Sequence, residues 1–170
     1  MKIAIDVSPL QTGHNVRGVG FYLKNLKKSL LHNYPENQYQ FFVRREEIDK
    51  NVELVHYPYF DPFSLTLPFK KQYKTVVTVH DLTPLVFPRH FSVGLKGNIG
   101  WQIQRFNLQR VDAILADSIA SKKDIINLIK IADQKVTVAY LAAGAEFRQF
   151  TSEERKNKNL QEKSHALNMP

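Results

Sequence analysis

The segment Thr75–Val79 consists of five consecutive β-branched residues, and it restricts the fold more than any other stretch of this 170-residue chain. Such a run is typical of a strand that is buried on both faces, as in the centre of a parallel sheet. His80 and Asp81 follow it directly. Because ligands of open α/β sheets bind beyond the carboxyl ends of the strands, His80 is a candidate for contact with a bound molecule.

Two interpretations of His80 stay open from the sequence. Histidine is the side chain that most often acts as a general acid or base, and the end of a central strand is a suitable place for one. Histidine is also a frequent structural residue, in which case its ring would bond to a neighbouring carbonyl group and hold a loop. The sequence position suits both roles.

The composition narrows the class of protein. A chain of this length suits one domain with a sizeable core. The absence of cysteine excludes disulfides and thiolate metal sites and is compatible with a reducing cytoplasm, where we expect the protein to reside. No stretch reaches the ~18 apolar residues of a membrane span, and the N-terminus has the pattern of a strand rather than of a signal peptide.

Strand and helix patterns alternate along the chain. Strands are predicted at residues 2–7, 38–43, 52–57, 75–79, 112–117 and 136–140, and helices at 19–34, 95–110 and 118–131. This order predicts an α/β domain with a Rossmann-like, doubly wound, mostly parallel sheet and helices on both faces.

Three further assignments concern packing and connections. One buried face of the first helix is predicted to consist of Phe21, Tyr22, Leu23, Leu26, Leu30 and Leu31. The second helix is predicted to carry Ile99, Ile103, Phe106 and Val111 on one side, which would pack in the core. Residues 58–68 and 82–91 are rich in proline and are predicted to be loops. Residues 1–150 form the predicted domain, and the polar residues 151–170 a linker or tail.

The segment Arg17-Gly18-Val19-Gly20 opens the first helix and is a candidate phosphate-binding loop. Glycines allow backbone N–H groups to approach an anion, and a helix N-terminus favours negative charge. The alternative is a turn that simply enters the helix. A nicotinamide cofactor is not expected, because Leu23 occupies the place of the third glycine and ten residues separate Val7 from Gly18.

The net charge of +8 favours an anionic partner. The basic residues occur as scattered pairs, which favours solvated surfaces over a nucleic-acid site, so no nucleic-acid partner is expected. The helix that contains Lys96, Trp101, Arg105 and Arg110 offers a second interpretation, contact with anionic lipid, although its apolar residues favour packing in the core.

Several segments together resemble the N-terminal half of a retaining glycosyltransferase of family 4, which has the GT-B fold. The resemblance covers residues 2–150. It is carried by Ile3–Asp6 with Gly18–Tyr22, by Val55–Pro58, by Val77–Pro84, by Ala116–Ser118 with Ser121, and by Val136–Gly144.

The resemblance implies a transferase with two Rossmann-like domains that face each other across a cleft. The partners it implies are a nucleotide-sugar donor and a saccharide or lipid-linked acceptor. It places Gly18, Val19 and Gly20 near the donor diphosphate and His80 against the transferred sugar. It also implies that no metal or other cofactor is needed, since helix dipoles and basic side chains take the charge of the leaving diphosphate.

The remaining cleft residues are expected at the acceptor side. They are Arg17, Tyr57, Tyr59, Asp81, Thr83 and Ser118. We expect His80, the glycine loop and residues 57–60 to line an exposed, partly apolar concavity at the carboxyl ends of the strands.

The sequence departs from the family in lacking the donor domain with its basic pair and two glutamates. Glu146, Glu154 and Glu162 repeat the glutamate spacing, which we interpret as chance because they lie in the final loop and tail. The chain is therefore interpreted as a fragment, a truncated product or a subunit of a split enzyme. Its expected partners are a separate donor domain or a second copy, with the inner face of an anionic membrane as a further option. The alternative function is a non-catalytic binding or assembly module.

Overall fold

The computed structural model describes residues 1–144 together with Thr151 and Glu153. The rest of the tail predicted at 151–170, the domain boundary predicted at residue 150 and the three glutamates Glu146, Glu154 and Glu162 lie outside the described residues.

Six strands form one sheet in this part of the chain, and each hydrogen-bonded pair of neighbours is parallel. The strands are β1 (Lys2–Asp6), β2 (Gln38–Phe42), β3 (Leu54–Tyr57), β4 (Lys74–Val79), β5 (Ala113–Ala116) and β6 (Val136–Val138). Their order across the sheet is β2-β1-β3-β4-β5-β6. The predicted Rossmann-like α/β fold is confirmed, with β3 and β4 in the middle of the sheet.

The helices are α1 (Gly18–Asn33), α2 (Thr83–Val86), α3 (Leu95–Gln109) and α4 (Ile119–Asp124), which continues as a π-helical turn over Ile125–Ile129. Short 3-10 turns cover Ser8–Gln11, Gly13–Val16 and Asp133–Lys135. The segment that contains α2 was expected to be loop only. Pro84 is compatible with this helix because it lies in the first turn, where an N–H group has no intrahelical acceptor.

The strand order reverses at β1. The chain moves from β1 to β2 on one side, while β3, β4, β5 and β6 follow on the other side. Because crossovers between parallel strands are right-handed, the connections that leave β1 and β3 pass to opposite faces of the sheet. They leave a crevice between them at the carboxyl ends of these two strands, which is where ligands bind in open α/β sheets.

The main core lies between the sheet and the helices α3 and α4. Val77 and Val79 of β4, Leu108 of α3 and Ile125 and Ile129 beyond α4 are all fully buried in one cluster. The other face of the sheet is covered by α1, whose Leu23 is fully buried, while Phe21 and Leu31 on the same helix are exposed although they were expected to be buried.

The expectation for the packing of α3 is wrong for two of its four residues. Its inward residues are Gly100, Gln104, Asn107 and Leu108, whereas Ile99 and Phe106 are 52% and 48% exposed. Ile103 is partly buried, and Val111, just beyond the helix, is buried as expected.

The loop that follows β3 explains this orientation of α3. A side chain at Gly100 would place its Cβ 2.5 Å from the carbonyl oxygen of Phe63. Gln104 Nε2 donates hydrogen bonds to the Ser64 carbonyl group and to Thr66 Oγ1. A glycine contact and a buried amide therefore hold the helix on the loop, and the apolar residues of α3 point outward.

Candidate functional site

The ends of three neighbouring strands meet at the ring of His80. Pro58, His80 and Asp117 each follow the last residue of β3, β4 and β5. His80 Nε2 lies 3.2 Å from the Pro58 carbonyl oxygen, and His80 Nδ1 lies 3.3 Å from Asp117 Oδ2. The imidazole thus bridges both neighbours of the central strand β4.

Both partners of the His80 ring can only accept hydrogen bonds. A neutral imidazole has one N–H group and satisfies one of them, whereas the imidazolium form donates to both. The side chain is 15% exposed, so one part of the ring remains accessible. The contact with the Pro58 carbonyl group is the one that the structural interpretation of His80 anticipated.

A row of polar side chains lies beside His80 on the α1 side of the sheet. The Tyr22 ring meets the His80 ring edge-on, with 4.9 Å between centroids. Tyr22 Oη is 3.3 Å from Thr78 Oγ1, which is 2.9 Å from His56 Nε2. Burial raises the pKa of Tyr22 and, together with the charge of His80, lowers the pKa of His56 to about 4. Tyr22 and His56 are therefore neutral near pH 7.

The backbone of His80 is held by the start of α4. Ser121 Oγ donates a hydrogen bond of 2.7 Å to the His80 carbonyl oxygen. Ser118 is the N-cap of α4, and its Oγ accepts from the Ser121 N–H at 3.0 Å. The half-buried Ser118 thereby positions the residue that fixes the end of β4.

The glycine loop lies at the N-terminus of α1, and its two glycines differ in the space that surrounds them. A Cβ on Gly20 would lie 2.4 Å from the His14 carbonyl oxygen, whereas a Cβ on Gly18 would meet nothing within 4 Å. Arg17 precedes the helix, and its side chain makes no cap hydrogen bond within the described residues. Because the first N–H groups of a helix have no intrahelical acceptor, those of Gly18, Val19 and Gly20 are suited to bind an anion.

Tyr59 connects the segment after β3 to the glycine loop. Its ring lies 4.6 Å from the His14 ring, centroid to centroid, and its hydroxyl donates to Asp61 Oδ2 at 3.4 Å. Burial and the Asp61 carboxylate raise the pKa of Tyr59 to about 12, although Arg17 acts in the opposite direction. The chain segments after β1 and β3 therefore meet across the crevice.

The other residues assigned to the cleft lie in different surroundings. Asp81 and Thr83 are exposed beside His80, and Asp81 Oδ1 accepts from the Thr83 N–H at 2.9 Å. The expectation that Tyr57 and Phe60 line an exposed concavity is wrong, because both belong to the buried core. Successive strand residues point to opposite faces, so His56 faces α1 while Tyr57 packs edge-on against Phe42.

Five residues at this edge did not stand out as site residues in the sequence. They are Tyr22, His56, Thr78, Asp117 and Ser121. The sequence placed Asp117 at the end of the predicted strand 112–117, whereas the register that sets it beside His80, with Val79 paired to Ala116, is seen only in the structure. For Tyr22 there was no such signal, because its contact depends on where α1 crosses the sheet.

The described residues offer neither a metal-binding cluster nor a membrane-spanning helix. In this part of the chain no cluster of three or more His, Asp or Glu side chains is arranged to hold a metal ion. Likewise, none of the helices described has the length and apolar character needed to cross a membrane.

The fold and the site define an α/β domain with a crevice at the switch point of a parallel sheet and a histidine at the end of the central strand. The sequence model of Glycosyltransferase Family 4 matches residues 6–143, and the chain belongs to this family. The match confirms the family that the sequence motifs indicated. No curated protein matches the chain.

The two glycines of the loop allow a matched test of their roles in folding. Gly20→Ala is expected to lower the free energy of unfolding by about 2 kcal/mol, because the new Cβ would meet two backbone carbonyl oxygens that cannot move independently. Gly18→Ala, in open space, is expected to leave it unchanged within roughly 0.5 kcal/mol. Urea unfolding of both variants measures the difference, and equal losses would contradict this account of Gly20.

Proposed function

We propose that the domain is the acceptor-side half of a glycosyltransferase that moves a sugar from a nucleotide-sugar to a saccharide or lipid-linked acceptor with retention of configuration. The family membership supports sugar transfer as the chemistry. The observation that carries the proposal is the convergence at one sheet edge of His80, the start of α1 and Tyr59. In this proposal, the crevice between β1 and β3 receives the substrates.

His80 is proposed to contact the transferred sugar near its reacting carbon. Asp117 accepts from Nδ1–H and sets the orientation of the ring, and in the imidazolium form Nε2–H is the second donor. A sugar hydroxyl then replaces the Pro58 carbonyl group as the acceptor of that hydrogen bond. The exchange requires little motion, because the ring is already held by Asp117 and by the edge of Tyr22.

The N–H groups of Gly18, Val19 and Gly20 are proposed to approach the donor diphosphate, with Arg17 adding positive charge. The exposed Arg17 and Gly18 leave this helix end open to an anion. The positive end of the α1 dipole and a cation then stabilise the leaving diphosphate without a metal ion. Asp81, Thr83 and Ser118 are proposed to face the acceptor.

A donor-binding domain, on the same gene product or on a separate chain, is proposed to supply the other wall of the cleft. The test is a transfer assay with labelled UDP-, GDP- and ADP-sugars and a membrane and oligosaccharide extract as the acceptor. The chain alone is expected to show little turnover, and the chain together with a donor domain of its own family is expected to transfer sugar. Rapid turnover by the 170-residue chain alone would overturn the two-domain requirement.

The second candidate is a binding or assembly module with the same fold. The occupation of both His80 nitrogens by groups of the domain favours it, because that pattern also suits a structural histidine. If the domain is such a module, adding a donor domain does not produce sugar transfer.

A further inference from the structure

The outward side of α3 is apolar and exposed. Leu95, Ile99 and Phe106 lie on one side of the helix and are 77%, 52% and 48% exposed. Phe69, which is 69% exposed, extends this side, since its ring centroid lies 6.4 Å from that of Phe106. We refer to these four residues as the α3 outer face. A contiguous apolar surface of this kind marks an interaction site more often than scattered apolar residues do.

The segment that carries the α3 outer face is predominantly basic. Residues 61–112 contain three carboxylates, those of Asp61, Asp81 and Asp112, and their basic residues are Lys70, Lys71, Lys74, Arg89, Lys96, Arg105 and Arg110. Asp112 pairs with Lys71 at 2.7 Å. Lys70 and Lys96 directly follow Phe69 and Leu95 in the sequence. The Arg110 guanidinium lies 5.1 Å from the Phe106 ring centroid. Cations therefore border the apolar residues closely.

We propose that the α3 outer face docks on a membrane surface rich in anionic phospholipid. An interfacial helix inserts apolar side chains at the boundary of headgroups and acyl chains, while Lys and Arg contact anionic headgroups. The α3 outer face supplies the apolar side chains, and Lys96 and Arg110 supply the cations. The inward Gly100 and Gln104 hold the helix on its own domain, so docking needs no rearrangement of the fold.

The charge pattern favours lipid over two other occupants. In a symmetric dimer the same patch of each copy meets the other, so Lys96 and Arg110 would find few carboxylates on the second copy. A nucleic acid would satisfy the cations, but Leu95 and Ile99 gain nothing from a phosphate backbone. An anionic membrane satisfies the cations and the apolar side chains together.

The proposal goes beyond sugar transfer, because transfer as such does not require a membrane. The helix α3 lies along a face of the sheet, whereas the crevice opens at the carboxyl ends of the strands. Docking through α3 therefore leaves the crevice free for substrates.

Sedimentation of the full chain with vesicles tests the proposal. Vesicles of phosphatidylcholine with phosphatidylglycerol are expected to bind the chain, vesicles of phosphatidylcholine alone are not, and salt should weaken the binding. Replacing Ile99 and Phe106 together (Ile99→Asp, Phe106→Asp) is expected to lower the partition coefficient at least tenfold. The matched control is Leu31→Asp on α1, where a similarly exposed leucine is expected to be replaceable without loss.

A second pair of variants tests the charges without altering apolar residues. Lys96→Gln and Arg110→Gln are each expected to weaken binding roughly fivefold, and Lys28→Gln on α1 is the control. Equal binding to both kinds of vesicle, or wild-type binding by the α3 variants, would overturn the proposal. Light scattering that shows a dimer dissociated by Ile99→Asp would assign the face to a second copy instead. Duplex DNA binding that is weakened equally by the α3 variants would assign it to nucleic acid.

Discussion

His80→Ala is expected to lower kcat about 100-fold or more in an enzyme that contains this domain and a donor domain. Hydrogen bonds that tighten as the sugar acquires oxocarbenium character accelerate the reaction, whereas those of equal strength in the ground state only aid binding. The Asp117 carboxylate holds the His80 ring in one orientation, which suits a bond of the first kind. Initial rates at saturating donor and acceptor measure the effect.

The structure adds a stability cost to this substitution. His80→Ala leaves the Pro58 carbonyl group and Asp117 without their ring partner, which is expected to cost roughly 1–3 kcal/mol of unfolding free energy. Rates are therefore compared at a temperature at which urea unfolding shows that the variant is folded. His90→Ala, at an exposed position, is the control and is expected to change neither quantity. A normal kcat in folded His80→Ala protein would leave His80 with its structural role alone.

Acidification between pH 6.5 and 4 is expected to lower the free energy of unfolding by up to about 3 kcal/mol through His56. Its pKa is about 4 in the folded protein, against 6.5 for an ordinary histidine, because it is buried and lies near His80. The folded state then binds fewer protons than the unfolded state in this range. The stabilisation is fully present above pH 6.5 and is lost as the pH falls towards 4.

Urea unfolding at a series of pH values measures this effect. His56→Gln keeps a polar contact for Thr78 without a group that titrates in this range, so its stability is expected to vary less with pH, from a lower starting value. His90→Gln is expected to keep the pH dependence of the unmodified protein. Parallel curves for His56→Gln and the unmodified protein would show that other groups cause the dependence.

The main strands could be predicted because a strand that is buried on both faces of a parallel sheet shows a continuous run of apolar or β-branched residues. Thr75–Val79 has no polar face, and the strand that it predicts lies inside the sheet with neighbours on both sides. The end of that strand placed His80 at the carboxyl edge, and the glycines placed an anion-suited helix end there. These inferences need only the nearest residues in sequence.

The side of α3 that faces the core could not be predicted from local sequence patterns. Its apolar spacing indicated a buried side with Ile99 and Phe106, yet Gly100 and Gln104 face inward. The reason is a contact with Phe63 and Ser64, which are distant in the sequence and approach closely only where the helix has no side chain. Periodicity reports amphipathic character, but it does not report which solvent or partner meets each side.

The sequence alone determined the family, the α/β class and the edge of the sheet at which the candidate site lies, because alternation, proline, glycine and strand-end motifs are local properties. The tertiary structure alone decided what surrounds the site residues. It placed Tyr57 in the core, Tyr22 against His80 and Asp117 on the His80 ring. These outcomes depend on strand register and on how helices cross the sheet, which arise from the packing of segments far apart in the chain.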